Sequence, residues 1–450
     1  MIQPALDHDF IPAALYNKAF SEKADEAFYI ALERDRGLVY RYDAKIIRGD
    51  FEHSCFYIER LIKTILWSVG GFRLTLCGDE KIGRYIADCY KPGGLRQFDS
   101  AFMSKVYERQ FETILTSKEN LPERKDNPAP VGRHLDGCRI GFDAGGSDMK
   151  VSAVTDGKVI FSQEIVWHPK RNDNPDYHYA QITQALQTAA AKLPRVDAVG
   201  VSSAGVYVNN RAMAASLFIK IPPEAFDARI KDIYINAAKT LGDIPVTVAN
   251  DGDVAALSGA MYSGKNGVLG VAMGTSEAGG YVDGNGNVTG WLNELAFVPA
   301  DYNTGAAVDE WSGDFGCGVK YFSQDAVIRL APRAGIALSE KLSPAEKLKE
   351  VQTLAEANQG KARLIFETIG VYLGYAVAHY ADFYDINYLQ LLGRVTSGVG
   401  GDLLLREANA VLQAEFPALA QKITLYMPDE YERRVGQSIA AASLPQTKAR

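Results

Sequence analysis

The sequence is poor in cysteine, has no surplus of basic charge, and nowhere runs eighteen residues without a polar interruption. The five cysteines, Cys55, Cys77, Cys89, Cys138 and Cys317, are scattered and form no CxxC pair. Neither a disulfide framework nor a thiolate zinc site is therefore signalled. With 48 Lys and Arg against 55 Asp and Glu, the formal net charge of −7 gives no electrostatic reason to gather nucleic-acid phosphates or anionic lipid. The opening stretch MIQPALDHDFIPAALYNKAF lacks a basic segment followed by an apolar one. A soluble, cytoplasmic protein without nucleic-acid or membrane partners is the expectation.

What is present is ordinary globular usage: 450 residues, 47% of them hydrophobic, enough for a large core in two or three domains. The clearest interruption is SKENLPERKDNPAPVGRHLDG, residues 117 to 137, rich in charge and proline. Before it, FYIALERDRGLVYRYDAKII alternates about Arg36-Gly37 as a hairpin does, and FYIERLIKTILWSVGG has helical spacing. We expect an N-terminal α/β accessory domain with its linker over 1–135, a first lobe over 136–255 and a second over 256–450, whose C-terminal helix packs back on the first lobe.

Past the linker, CRIGFDAGGSDMKVSAVTDGKVIFSQEIV predicts a three-stranded meander, and VDAVGVSSAG and IPVTVAND predict strands ending in small or polar residues. GVLGVAMGTSEAGGYVDGNGNV restarts the same strand, glycine turn, strand grammar, so an internal duplication is expected. Strand ends that bring carboxylates and glycines to one edge are where open α/β sheets bind ligands.

Four constellations carry chemistry. In Asp143-Ala-Gly145-Gly146-Ser147, followed by Lys150, adjacent glycines admit a phosphate to the backbone and the carboxylate can hold Mg²⁺ through water. Gly274-Thr275-Ser276, with Gly279 and Gly280, occupies the corresponding turn of the second half. Asn250-Asp251-Gly252-Asp253 ends a strand; Asp251 can accept a proton from an attacking hydroxyl and Asn250 can orient it. A plain helix cap there, with Asp253 able to supply it, is the competing reading. Gly393, Gly398, Gly400 and Gly401 would let an adenosine lie against backbone.

In this order the motifs resemble the ROK family of sugar kinases and sugar-responsive repressors, within the actin, Hsp70 and hexokinase superfamily. The resemblance implies an α/β fold of duplicated ribonuclease-H-like, actin-like ATPase lobes with an interlobe cleft. It implies ATP and Mg²⁺, a sugar or polyol substrate, Asp251 as general base, and Glu294 of WLNELAFVP on a sugar hydroxyl. Phe297 stands where the family's histidine would bind sugar and zinc, and of the cysteine cluster GDFGCGVKYFS keeps only Cys317, so no zinc is expected. Val319 replaces a sugar-binding glutamate, Lys220 lies near a usual asparagine, Asp148 replaces a frequent lysine, and Arg394 replaces a glycine. The alternative is a non-catalytic or regulatory relative that binds sugar or nucleotide; the oligomeric state, a homodimer among the options, stays open.

Overall fold

The hairpin alternation settles the first element pair. In the computed structural model, which describes residues 1–126, 131–146, 148–429 and 436–447, β1 (Glu26–Glu33) and β2 (Val39–Ile46) pair antiparallel. Arg36 and Gly37 turn between them with positive φ of 58° and 66°. β3 (Arg73–Cys77) joins β1 antiparallel and β4 (Glu112–Leu115) joins β3 parallel, giving the order β2-β1-β3-β4.

Asp50 caps the helix Phe51–Val69 through the His53 N–H at 3.3 Å, and that helix is buried around nearly its whole circumference. The charged stretch that follows β4 is anchored at its start. Leu121 packs with Ala31 and Val39, Lys125 exchanges backbone hydrogen bonds with Val39, and a buried Arg34–Asp126 ion pair closes at 2.6 Å.

Contacts divide the chain into two units. One comprises Met1–Asn127, Val271–Gly279 and Trp291–Met427; the other comprises Pro128–Gly270, Gly280–Gly290 and Pro428–Arg450. The second unit holds the meander β5 (Cys138–Ala144), β6 (Asp148–Thr155) and β7 (Lys158–Val166), then β8 (Ala198–Ser203), the short hairpin β9 (Val206–Val208) and β10 (Arg211–Ala214), and β11 (Val246–Asn250). Its sheet runs β11-β8-β5-β6-β7, with β8 parallel to both neighbours.

Buried apolar residues on alternate positions, such as Ile140, Phe142, Val199 and Val201, fill the core of that sheet. The helix Gln437–Ala442 comes so close that a Cβ on Gly141 would lie 2.1 Å from Ser438 O, and one on Gly200 1.7 Å from Ala441 O. Glycine in the strands is what admits it.

A further sheet, β12 (Val268–Met273), β13 (Glu277–Val282), β14 (Tyr388–Leu392) and β15 (Thr424–Tyr426), runs in the order β13-β12-β14-β15. This repeats β6-β5-β8-β11, and β14 and β15 are parallel like β8 and β11. The duplication read from the glycine turns is thus present in strand order, with the third meander strand reduced to the bridge Val282↔Val288. The N-terminal sheet is not a third copy, because its β1 and β3 are antiparallel where β5 and β8 are parallel. Among the described residues no helix is long and apolar enough to cross a membrane.

Candidate active site

Parallel strands deliver their carboxyl ends to one edge, and in the second unit three predicted residues arrive there. Register places Asp143 opposite Ser202 and Asn250 opposite Ser203, so Asp143 and Asp251 stand at the ends of the two strands flanking β8. Ser202 Oγ donates to Asp143 Oδ1 at 2.6 Å. Burial, and after it the charge of Asp143, pushes the Asp251 carboxyl up to about 6. Burial also raises Asp143, opposed by the Ser202 hydrogen bond and by Lys150 and reinforced by Asp148.

Asn250 is the helix cap. Its Oδ1 accepts from Gly252 N–H at 2.7 Å at the head of the helix Asp251–Ser263, and its Nδ2 donates to Gly205 O at 2.8 Å. Among the described residues the second N–H of the amide has no partner. Asp253, the other capping candidate, is buried and accepts from Tyr281 N–H at 3.0 Å instead.

The first glycine turn is held by residues that sequence reading missed. Gly145 N–H donates to Asp148 O at 2.9 Å, and a Cβ on Gly145 would lie 2.8 Å from that same oxygen. The buried Trp167 clamps the turn, donating from Nε1 to Gly145 O at 2.8 Å and to Asp148 O at 3.2 Å. Gly146 is exposed; Ser147 lies outside the described residues.

Beside Asp251, Tyr207 OH donates to Ser203 Oγ at 2.7 Å, and Ser203 and Tyr234 share a 2.8 Å hydrogen bond. Burial pushes both phenols up, and the charge of Asp251 adds to each. No local pattern announces Tyr234, which stands 31 residues from Ser203.

Asp148 and Asp251 each stand in electrostatic reach of Asp143, and burial, ahead of that charge repulsion, raises Asp143 and Asp251. Among the described residues no group of three or more His, Cys, Asp or Glu could hold a metal directly, so a Mg²⁺ here would keep its water shell, with Asp143 as an outer carboxylate.

The glycine turns at Gly274 and Gly393, and Glu294, belong to the first unit. Gly274 N–H donates to Ser276 O at 2.9 Å, forming the second turn, and Thr275 Oγ1 receives a hydrogen bond from Arg394 Nη2 at 3.1 Å. Gly393 takes φ 95°, and a Cβ there would lie 2.3 Å from Met273 O. Gly393 and Gly398 are exposed, whereas Gly400 and Gly401 are buried, where added Cβ atoms would meet the Phe366 ring at 2.8 Å and Thr396 O at 2.2 Å.

Glu294 is half-buried, and its N–H donates to Trp67 O at 3.0 Å. Phe297 stacks on Trp67 with centroids 4.1 Å apart and tilts against Phe98 at 5.8 Å. Around Asp314, Arg60, Lys63 and Arg96 close to 2.9, 3.0 and 2.9 Å, and Glu59 and Asp99 balance them, so three buried cations meet three buried anions. Cys317 is buried beside this network, and its charge partners include Lys63 and Asp314. Val319 sits in the short turn Gly318–Lys320, and Lys220 is exposed.

Comparison with known proteins adds three findings. The pattern of the family described as ROK matches residues 139–418. A glucokinase of Halalkalibacterium halodurans is 30% identical over 187 residues, 38% of this chain and 54% of that protein, so the match spans about half the length of the curated relative. The ROK hexokinase of Thermus thermophilus is similar in structure with a TM-score of 0.54 at 18% identity, over 68% of this chain and 98% of the other. A ROK family transcriptional regulator, a homologue of the E. coli MLC protein, gives 0.55 at 17% identity over 69% and 78%.

Proposed function

The chain belongs to the ROK family, and from that membership we propose that it is an ATP-dependent kinase acting on a hydroxyl of a sugar or sugar-like polyol. The observation that carries the reading is Asp251: a carboxylate at a strand end, on the first turn of a helix capped by Asn250, raised to about 6. A general base works best when its pKa lies near the operating pH.

In the reaction, Asp251 takes the proton of the acceptor hydroxyl as its oxygen bonds to the γ-phosphorus. The bond from that phosphorus to the bridging oxygen breaks, and ADP leaves. The free N–H of Asn250 and the carboxylate of Glu294 orient the acceptor. Gly146 and Thr275 take phosphates on backbone N–H and hydroxyl groups at turns that Gly145 and Gly274 close through their own N–H bonds, while the exposed Gly393 and Gly398 serve the adenosine. Mg²⁺, when bound, supplies charge neutralisation on the phosphates, and Asp143 holds its water shell.

A second reading, a regulatory protein that binds sugar without phosphorylating it, draws support from Phe297, which lacks the polar edge of the family's histidine. A base raised toward neutrality has no use in such a protein, which favours the kinase. The test is ADP release from Mg-ATP across a panel of hexoses, amino sugars and polyols. Acceptor-dependent release supports the kinase; nucleotide-independent sugar binding with no release supports the regulator.

A further inference from the structure

Each glycine turn carries a cation that neither the motif pattern nor the reading above uses. On the first turn, a Cβ placed on Gly146 would lie 3.7 Å from Lys170 Cε and 3.8 Å from its Nζ. Lys170 belongs to the short turn Pro169–Arg171, four residues past the end of β7 and directly after Trp167-His168-Pro169, so the indole that clamps Gly145 also fixes where this lysine starts. It is exposed, and among the described residues its ammonium has no hydrogen-bond or ion-pair partner.

On the second turn, Arg394 is exposed and donates from Nη2 to Thr275 Oγ1 at 3.1 Å, while its own carbonyl is pinned by Gln352 Nε2 at 2.6 Å. A guanidinium held by one N–H against a turn hydroxyl keeps further N–H donors for an anion.

The charge balance of the first turn needs such help. Lys150 attracts and Asp148 repels the charge of Asp143, which in turn repels that of Asp251. A polyphosphate entering there adds negative charge beside these carboxylates, and an ammonium at the open side of Gly146 attracts it in addition to Mg²⁺.

Resting on the kinase reading above, we propose that Lys170 and Arg394 are phosphate-binding residues, Lys170 on the Gly145-Gly146 turn and Arg394 on the Thr275 turn. Each adds charge for a phosphate at its own turn, beyond what that turn's backbone supplies. Arg394 stands where a glycine of the adenosine loop is expected and Lys170 lies outside every motif, so these are contacts particular to this chain.

Calorimetric titration of the wild type, Lys170→Met and Arg394→Gln with Mg-ATP and with adenosine, at two salt concentrations, tests this. Both side chains are exposed, so the variants fold, and a thermal melt verifies it. Each variant is expected to weaken Mg-ATP about 10-fold, the scale of one charged hydrogen bond, to leave adenosine affinity unchanged, and to flatten the salt dependence. Arg394→Lys is expected to recover part of the loss.

A variant that binds Mg-ATP within about twofold of a binding wild type overturns the assignment of that residue and leaves the kinase reading intact. Equal loss of adenosine affinity also overturns it, because the residue then acts on the fold of the site and not on phosphate. A wild type with no affinity for Mg-ATP overturns the kinase reading and this inference with it.

Discussion

The ring of Phe297 lies on the indole of Trp67, 4.1 Å between centroids and 29° between planes, and the indole N–H donates to Asp99 at 3.0 Å. A residue of the N-terminal segment thereby covers the ring of Phe297, the residue read as standing where the family's histidine would be. Trp67 is fully buried. Trp67→Ala is expected to cost about 3–5 kcal/mol of stability by cavity formation, read as a lower urea midpoint. An unchanged midpoint would show that the stack is not a stabilising element.

The ion network beside that stack makes a separate prediction. Asp314 is the shared anion of Arg60, Lys63 and Arg96. Asp314→Asn leaves an uncompensated buried cation and is expected to cost about 3–5 kcal/mol. A denaturation curve that superimposes on the wild type would mean the three cations are reached by water.

Glu277 gives a pH-dependent expectation. It is buried, its Oε1 accepts from Tyr380 OH at 3.3 Å, its Oε2 has no hydrogen-bond partner among the described residues, and burial pushes its carboxyl up to about 8 from an ordinary 4.5. Above 4.5 the unfolded chain has lost this proton while the folded chain keeps it until about 8. Folding therefore takes up a proton, and this group's contribution to stability falls as pH rises between those values. Glu277→Gln abolishes that slope, so urea melts at pH 5 and pH 8 should show the variant gaining on the wild type at the higher pH. Parallel shifts at both would contradict the assignment.

For catalysis the sign is opposite. Asp251 accepts a proton only when ionised, so kcat/KM is expected to fall as pH drops through about 6. Asp143→Asn removes a repelling charge, and the acid limb of any remaining activity should move to lower pH. A limb that stays fixed would assign it to another group.

The sequence made the lobes readable because their strand ends and glycine turns recur in order, which strand pairing then reproduces in β6-β5-β8-β11 and β13-β12-β14-β15. The N-terminal hairpin was equally plain from its alternation. Other features were not legible, for a physical reason: they depend on groups far apart in the chain. Trp167 reaches back 22 residues to Gly145, Tyr234 lies 31 residues from Ser203, and Arg60 meets Asp314 across 254 positions. Local spacing also could not decide between Asn250 and Asp253 as the helix cap, since both carry a suitable oxygen; the choice follows from Asp253 being drawn to Tyr281 N–H. Gly400 and Gly401 looked like ligand-facing glycines, yet they are buried against Phe366 and Thr396.

The most direct test compares the wild type with Asp251→Asn, measuring acceptor-dependent ADP release and Mg-ATP affinity on the same preparations. The account predicts turnover lower by about 100-fold or more in the variant, with Mg-ATP affinity retained. Turnover equal to the wild type would contradict Asp251 as the base and the phosphotransfer built on it.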